Sequence, residues 1–212
     1  INIQNQDQEE HRKRRNKKLI GKVGGKFMID NVKEILNKLI KANRLVSIFS
    51  DYYNKEKCTV GFIKGFDDLC VLIICIDVNG EYDGIALRKL DCIYRIDFDG
   101  IYETKIHRLY ELKNEENCEF LFNKSIDIFG QLIKYAISYD KVIEISIDED
   151  NEQELIVGTV NSYNEDKVVY IRKINSYGEN DGITVINEQD TVTLNCDSRD
   201  ARDLQLLNKK IR

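Results

Sequence analysis

KCTVGFIKGFDDLCVLIICIDVNGEYDGI, Lys57 to Ile85, is written a second time as ELIVGTVNSYNEDKVVYIRKINSYGENDGI, Glu154 to Ile183. Both stretches carry Val-Gly, an aromatic residue five positions after that glycine, an apolar run and a closing Asp-Gly-Ile. Working outward, residue n aligns with n+97. Val32, Ile35, Leu36, Leu39 and Ile40 face Phe129, Leu132, Ile133, Ala136 and Ile137, and Leu45, Val46 and Ile48 face Val142, Ile143 and Ile145. After one added residue the offset is 98, so that Gly80 meets Gly178, Asp83-Gly84-Ile85 meets Asp181-Gly182-Ile183, and Leu109 meets Leu207. A period this long marks a duplicated domain rather than a solenoid.

Each copy opens with an apolar stripe at helical spacing. Asn31 and Glu34 form a capping-box pattern in the first copy, and Ser125 is the expected N-cap in the second. Strands are predicted at 45–51, 57–66, 69–78, 83–88 and 91–97, then at 142–148, 154–163, 167–174, 182–187 and 190–196. These runs are rich in β-branched and aromatic residues and are separated by Gly, Asn and Asp. Gly80 and Gly178 sit in hairpin loops that need permissive backbone angles. The resulting division is a basic leader at 1–27, one domain at 28–117 and a second at 118–212. Lys113 to Asn117 serves as the polar linker. The fold class is mainly β with α: two tandem small antiparallel barrels, each with an N-terminal helix and five strongly bent strands.

Composition narrows the function. The chain has 212 residues, 42% hydrophobic and 33% charged, a globular balance. No apolar run approaches the roughly 20 residues that span a bilayer, so neither a membrane partner nor a secretory signal is expected and a cytoplasmic location is the default. Absent Pro and abundant Ile, Lys, Asn and Tyr fit a genome poor in G and C, and a bacterial one is expected. Cys58, Cys70, Cys75, Cys92, Cys118 and Cys196 form no CxxC and read as reduced packing residues. Only His11 and His107 are present, which starves metal and triad designs. No EF-hand spacing or phosphate loop appears, so no cofactor is implied and no catalysis is expected. The acidic clusters at Asp67-Asp68, at Asp77, Glu81 and Asp83, at Asp97 and Asp99, and at Asp148 to Glu154 read as solvated turns.

Residues 1–27 hold eight Lys/Arg and three Asp/Glu, a charge of +5, which leaves −10 on residues 28–212 of a chain at −5. Two readings of this segment stand. It is a basic arm for nucleic acid, or it is translated leader. Met28 is the only Met, and Gly24-Gly25-Lys26-Phe27 before it is encodable as GGA GGU AAA UUU, a ribosome-binding sequence upstream of a start.

A helix followed by five bent strands resembles the Sm/LSm family, which includes bacterial Hfq. The first Sm motif falls on Gly61, Ile63, Phe66, Asp67 and Leu72, with Cys70 and Val71 at its Met and Asn positions, and in the second copy on Gly158, Val160, Tyr163 and Asn164, with Lys167 and Val168 at those two positions. At the second motif, an apolar residue followed by Arg-Gly and apolar alternation, stand Leu87-Arg88-Lys89, Ile93 and Ile96, and in the second copy Val185-Ile186-Asn187, Val192 and Leu194. The resemblance implies RNA binding, with uridine stacked in the loop after the Asp and held by the motif's Asn and Arg. Here the stacking position is Leu69 or Asp166, and the Asn position is Val71 or Val168; only Arg88 matches. Leu and Val offer neither a π-face nor base hydrogen bonds, and a body at −10 repels phosphate. Two functions are therefore expected. One is RNA binding through a non-standard surface at Arg88, Lys64 and Lys89, with Asp67 ordering the loop. Arg95, Lys105 and Arg108, and in the second copy Arg172 and Lys173, are further basic candidates. The other is a protein-interaction module that kept the barrel and lost the base pocket. Its third strand (Leu69, Val71, Ile73 alternating with Cys70, Leu72, Ile74) is apolar on both faces and must be covered on both, by the helix, by the second copy or by another chain. Edge pairing between chains, giving a homo-oligomeric pseudo-ring, is one such arrangement.

Overall fold

A computed structural model describes residues 32–51, 54–114, 123, 127–149 and 152–211. The basic segment 1–27, Asn31, Ser125, Cys118 and positions 115–117 of the expected linker lie outside the described residues. The chain divides into two compact units, Ile1–Lys38 and Leu39–Arg212. Helix α1 covers residues 32–41. Of its stripe, Leu36 and Leu39 are buried, whereas Ile35 is largely exposed.

The second unit holds the strands. β1 (Leu45–Phe49), β2 (Thr59–Phe66), β3 (Cys70–Ile76), β4 (Tyr82–Lys89) and β5 (Arg95–Phe98) are followed by α2 (Ile101–Lys113) and α3 (Ile128–Ser138). Then come β6 (Val142–Glu149), β7 (Glu152–Tyr163), β8 (Val168–Ile174), β9 (Asn180–Asn187), β10 (Thr191–Cys196) and α4 (Arg199–Ile211). All ten expected strands are present. They form one open antiparallel sheet in the order β5-β1-β2-β3-β4-β10-β6-β7-β8-β9.

The repeat is written in the ladders. Val46 pairs with Gly61 as Ile143 pairs with Gly158. Val46 pairs with Phe98 as Ile143 pairs with Cys196, and Ile74 pairs with Ile85 as Arg172 pairs with Ile183. The bulge between Ile63 and Gly65 recurs between Val160 and Ser162. Bulges bend a strand and increase its twist. At the bends, a Cβ on Gly61 or Gly158 would collide with the carbonyl of Ile74 or Arg172 on the neighbouring strand.

Each half ends in a helix that the sequence pattern did not reveal. α2 buries only Glu103 and Ile106, and leaves Ile101 and Leu112 exposed, so it shows no stripe. It packs through Ile106 and Tyr110 onto Leu45, Phe62 and Ile76. α4 packs through Ala201 onto Val142 and Ile174. The hairpin glycines serve these helices as well as the turn. Gly80 has φ +79°, and a Cβ there would lie 2.5 Å from the Tyr110 amide nitrogen; Gly178 has φ +81° and abuts Leu207 and Asn208. The α3 cap is Asp127, whose Oδ1 accepts from the Gly130 amide at 3.3 Å, rather than the expected Ser125.

The largest core brings both halves together. Ile128, Phe129, Leu132, Ile133 and Ala136 of α3 pack on Ile143, Ile145, Val169, Ile171 and Leu194, and also on Leu72, Ile74, Ile85 and Leu87 of the first half. One apolar face of β3 is therefore covered by the second half of the same chain. Each fully buried Leu or Ile contributes about 1.5–3 kcal/mol, so this shared core is the main tie between halves. Two glycines isolate the contact. Gly84 and Gly182 share φ near +85° (+86° and +84°), but a Cβ on Gly84 would sit 2.5 Å from the Cys196 carbonyl of β10, while Gly182 has nothing within 4 Å. In dilute protein, Gly182→Ala is expected to cost only the backbone strain, about 1–2 kcal/mol. Gly84→Ala should cost that plus a further clash of about 1–3 kcal/mol. Equal losses in urea unfolding would contradict the pairing.

Candidate functional site

The residues expected to meet RNA lie around the seam where β4 pairs with β10. Asp67 occupies the β2–β3 turn. Its Oδ1 accepts from the amides of Leu69 (2.8 Å) and Cys70 (2.7 Å), which orders the turn as expected. Its Oδ2 also accepts from the Ile128 amide at 3.1 Å. Ile128 opens α3, where backbone donors lack partners and negative charge is favoured, so Asp67 anchors the second half's helix onto the first half's turn. Leu69, at the stacking position, is exposed, while Val71 and Ile73 are fully buried within the chain. Of the three residues expected at an interface, only Leu69 faces outward.

Arg88 stands opposite Thr193 of β10 and is only 8% exposed. Its Nε donates to Thr59 Oγ1 at 2.9 Å, and its Nη1 donates to the carbonyls of Leu87 at 2.8 Å and Leu194 at 3.5 Å. Burial works against the charge and lowers the guanidinium pKa; Cys75, Glu144 and Asp51 oppose that shift weakly. Lys89 Nζ donates to the Gln189 carbonyl of the other half at 2.6 Å. Lys64 is exposed on β2. The structure thus uses two of the three expected RNA-binding cations to join the halves and leaves one on the surface.

The acidic turn at Asp77 to Asp83 is also structural. Asp83 Oδ1 accepts from the Arg199 amide at the start of α4, at 2.8 Å. The Arg199 guanidinium meets Asp77 at 3.2 Å and also pairs with Glu81. Arg202 donates to the Tyr82 carbonyl at 3.2 Å and lies 5.5 Å over the Tyr82 ring. Partial burial tends to raise the Asp77 pKa, but donation from the Glu81 and Asn79 amides outweighs it and the net shift is downward. Hydrogen bonds from Lys113 and Arg199 lower that of Glu81.

Beside these clamps a cleft of about 440 Å³ opens, lined by Thr59, Cys75, Arg88, Glu144, Asn195 and Arg199 among others. The buried Oδ1 of Asn195 has no hydrogen-bond partner among the described residues. Asp77, Asp83, Glu144 and Asp200 outnumber Lys57, Arg88 and Arg199 in its walls, a poor setting for a polyanion. Desolvation pushes the thiols of Cys70 and Cys75 up to about 12, which keeps them protonated and inert, as packing cysteines are.

A second polar cluster belongs to the second half alone. The Tyr163 hydroxyl donates to Glu188 Oε2 at 2.5 Å, and Lys167 Nζ bridges Asp127 Oδ2 (3.0 Å) and Glu188 Oε1 (3.1 Å). Burial and the Glu188 carboxylate push the Tyr163 pKa well up, and Asp127 and Glu188 raise that of Lys167. The aligned first-half positions are the apolar Phe66 and Leu90. Glu188 carried no signal in the sequence. The cluster satisfies itself and ties the α3 N-terminus to the β7–β8 turn. Among the described residues no group of three or more His, Cys, Asp or Glu could hold a metal.

No family model, curated protein or solved structure matches the chain.

Arg88→Ala is expected to cost about 1–3 kcal/mol in chemical denaturation, because Thr59 and two strand carbonyls lose a donor inside the seam. Unchanged stability would return Arg88 to the surface. The carboxylates of Asp77 and Glu81 sit below their ordinary values of 3.8 and 4.5. Their clamp on Arg199 is therefore fully present above those values and lost as pH falls through the lower folded ones. Arg199→Ala should lower the melting temperature at pH 7 and have little effect at pH 2; a constant difference across that range would contradict the clamp.

Proposed function

We propose that this chain is a non-enzymatic bacterial, cytoplasmic Sm-like protein that serves as a protein-interaction and assembly module rather than a uridine-binding platform. A helix and five bent strands, written twice with the same ladder registers, are what the Sm resemblance implies, and they support the family reading. The single observation that carries the functional reading is the position of Arg88. It is the one side chain that matches the family's base-holding set, and it lies buried in the seam with Thr59, Leu87 and Leu194 as its partners. Leu69 at the stacking position and a charge of −10 on residues 28–212 point the same way. Among the described residues no helix is long and apolar enough to cross a membrane.

Titration with oligo-U and oligo-A at two salt concentrations tests this. At low salt, any RNA binding by the full chain is expected to vanish when residues 1–27 are removed, since phosphate attraction then rests on an acidic body. Salt-sensitive binding that persists in protein beginning at Met28, and weakens with Lys64→Ala, would overturn the reading in favour of RNA.

A further inference from the structure

The cleft of about 440 Å³ beside the Arg199 clamp gathers polar groups from both halves. Arg88 of β4 brings a charge that is only 8% exposed. Its Nε and Nη1 are committed to Thr59, Leu87 and Leu194, whereas Nη2 has no partner among the described residues. The carbonyl of Leu194 that Nη1 meets belongs to the residue before Asn195. Asn195 pairs with Ala86, two residues along β4 from Arg88. Side chains in that diagonal relation stand roughly 7–8 Å apart or less, close enough to hold the two ends of one small molecule. Asn195 also pairs with Glu144 of β6, and its Nδ2 donates to Glu144 Oε2 at 3.2 Å. The buried Asn195 Oδ1 is left without a donor among the described residues. A buried acceptor in that state is costly, and native proteins keep few of them. Cys58, Val60 and Val78 line another part of the cleft. None of Asp67, Leu69 and Val71, where the Sm resemblance implies a base, is in its walls.

We infer that this cleft binds a free α-amino acid with an aliphatic side chain, its carboxylate on Arg88 Nη2 and its ammonium on Asn195 Oδ1 and Glu144 Oε1. Both ends then make charge-assisted hydrogen bonds, which are the strong ones. A zwitterion suits the walls better than a ligand of one sign. Asp77, Asp83, Glu144 and Asp200 outnumber Lys57, Arg88 and Arg199 there, so an anion with no ammonium is repelled. A cation with no carboxylate leaves the Arg88 donors unmatched. A second carboxylate on the ligand would meet Asp77, Asp83 or Asp200, whereas an aliphatic side chain has Val60 and Val78 to rest on. The volume lies low in the range of small-molecule pockets, roughly 300–1,000 Å³. Arg88 belongs to the first half, and Asn195 and Glu144 belong to the second, so the ligand spans the seam. It binds only where β4 and β10 are paired and stabilises that pairing by mass action. The inference goes beyond the interaction-module reading and does not depend on it.

Titration calorimetry of the full chain with L-leucine tests the inference. L-Leucine is expected to bind at one site, to raise the melting temperature in a saturable way, and to slow alkylation of the half-buried Cys58, followed by mass spectrometry. Leucinamide lacks the carboxylate and stands for the N-terminus of a peptide. N-Acetylleucine lacks the ammonium and stands for a peptide C-terminus. Each of these, and L-glutamate, is expected to bind at least about tenfold more weakly than L-leucine. Glu144→Gln keeps the size of the side chain and an acceptor for Asn195, and should weaken L-leucine binding at least about tenfold. Asn195→Ala should do the same, and Lys64→Ala, outside the cleft, should change nothing. Thermal unfolding without ligand checks that each variant folds; should Asn195→Ala fail, Glu144→Gln decides. No L-leucine binding at millimolar concentration, equal affinity for leucinamide or N-acetylleucine, or an affinity that Glu144→Gln leaves unchanged would overturn the inference. RNA binding by protein that begins at Met28 would instead overturn the interaction-module reading, so the two failures are separable.

Discussion

The pairing of β4 with β10 is the contact on which the second unit depends. Four residue pairs join two five-strand halves into one sheet. Through that join Leu72, Ile85 and Leu87 enter the same core as α3. The second half shows what the alternative looks like: the same positions, without a neighbour, leave Tyr170, Ile183 and Val185 in solvent. A β-strand edge with apolar flanks is a standing invitation to another strand. The first half resolves that liability inside the chain, and polar clamps at Lys89, Arg199 and Arg202 fix the partner and the register.

Burying Arg88 follows from the same join. A guanidinium out of water needs hydrogen bonds to offset its desolvation. Thr59 and the carbonyls of Leu87 and Leu194 supply them, one from β2, one from β4 and one from β10. A charged group that bonds three strands specifies how they meet. In the second half the aligned residue is Ile186, itself buried, so the two copies have diverged at the position that the Sm resemblance marks as a ligand.

What was legible in the sequence was whatever chemistry forces on the local chain. Gly61 and Gly158 at the bends and Gly80 and Gly178 in the hairpins are positions where a side chain collides with backbone, and β-branched runs between them can hardly be anything but strands. Asp67 was legible as the residue that orders its turn, but its bond to Ile128 was not, because nothing local says that a helix 61 residues later docks there. Helix α2 escaped because its inner face is too thin to make a stripe; Ile106 is the only buried aliphatic residue of α2. The seam escaped for a deeper reason. Alternation within a strand tells which face is apolar, but it does not name the strand alongside or say whether Arg88 lies under it.

Native-state hydrogen exchange of the β4 and β10 amides, residues 85–88 and 193–196, tests the central claim most directly. If the seam joins the halves into one cooperative unit, these amides exchange only with global unfolding and share the free energy of the β2–β3 and β7–β8 ladders. Exchange of the seam amides at markedly lower free energy, with the two halves remaining protected, would show two domains that merely touch and would contradict the account.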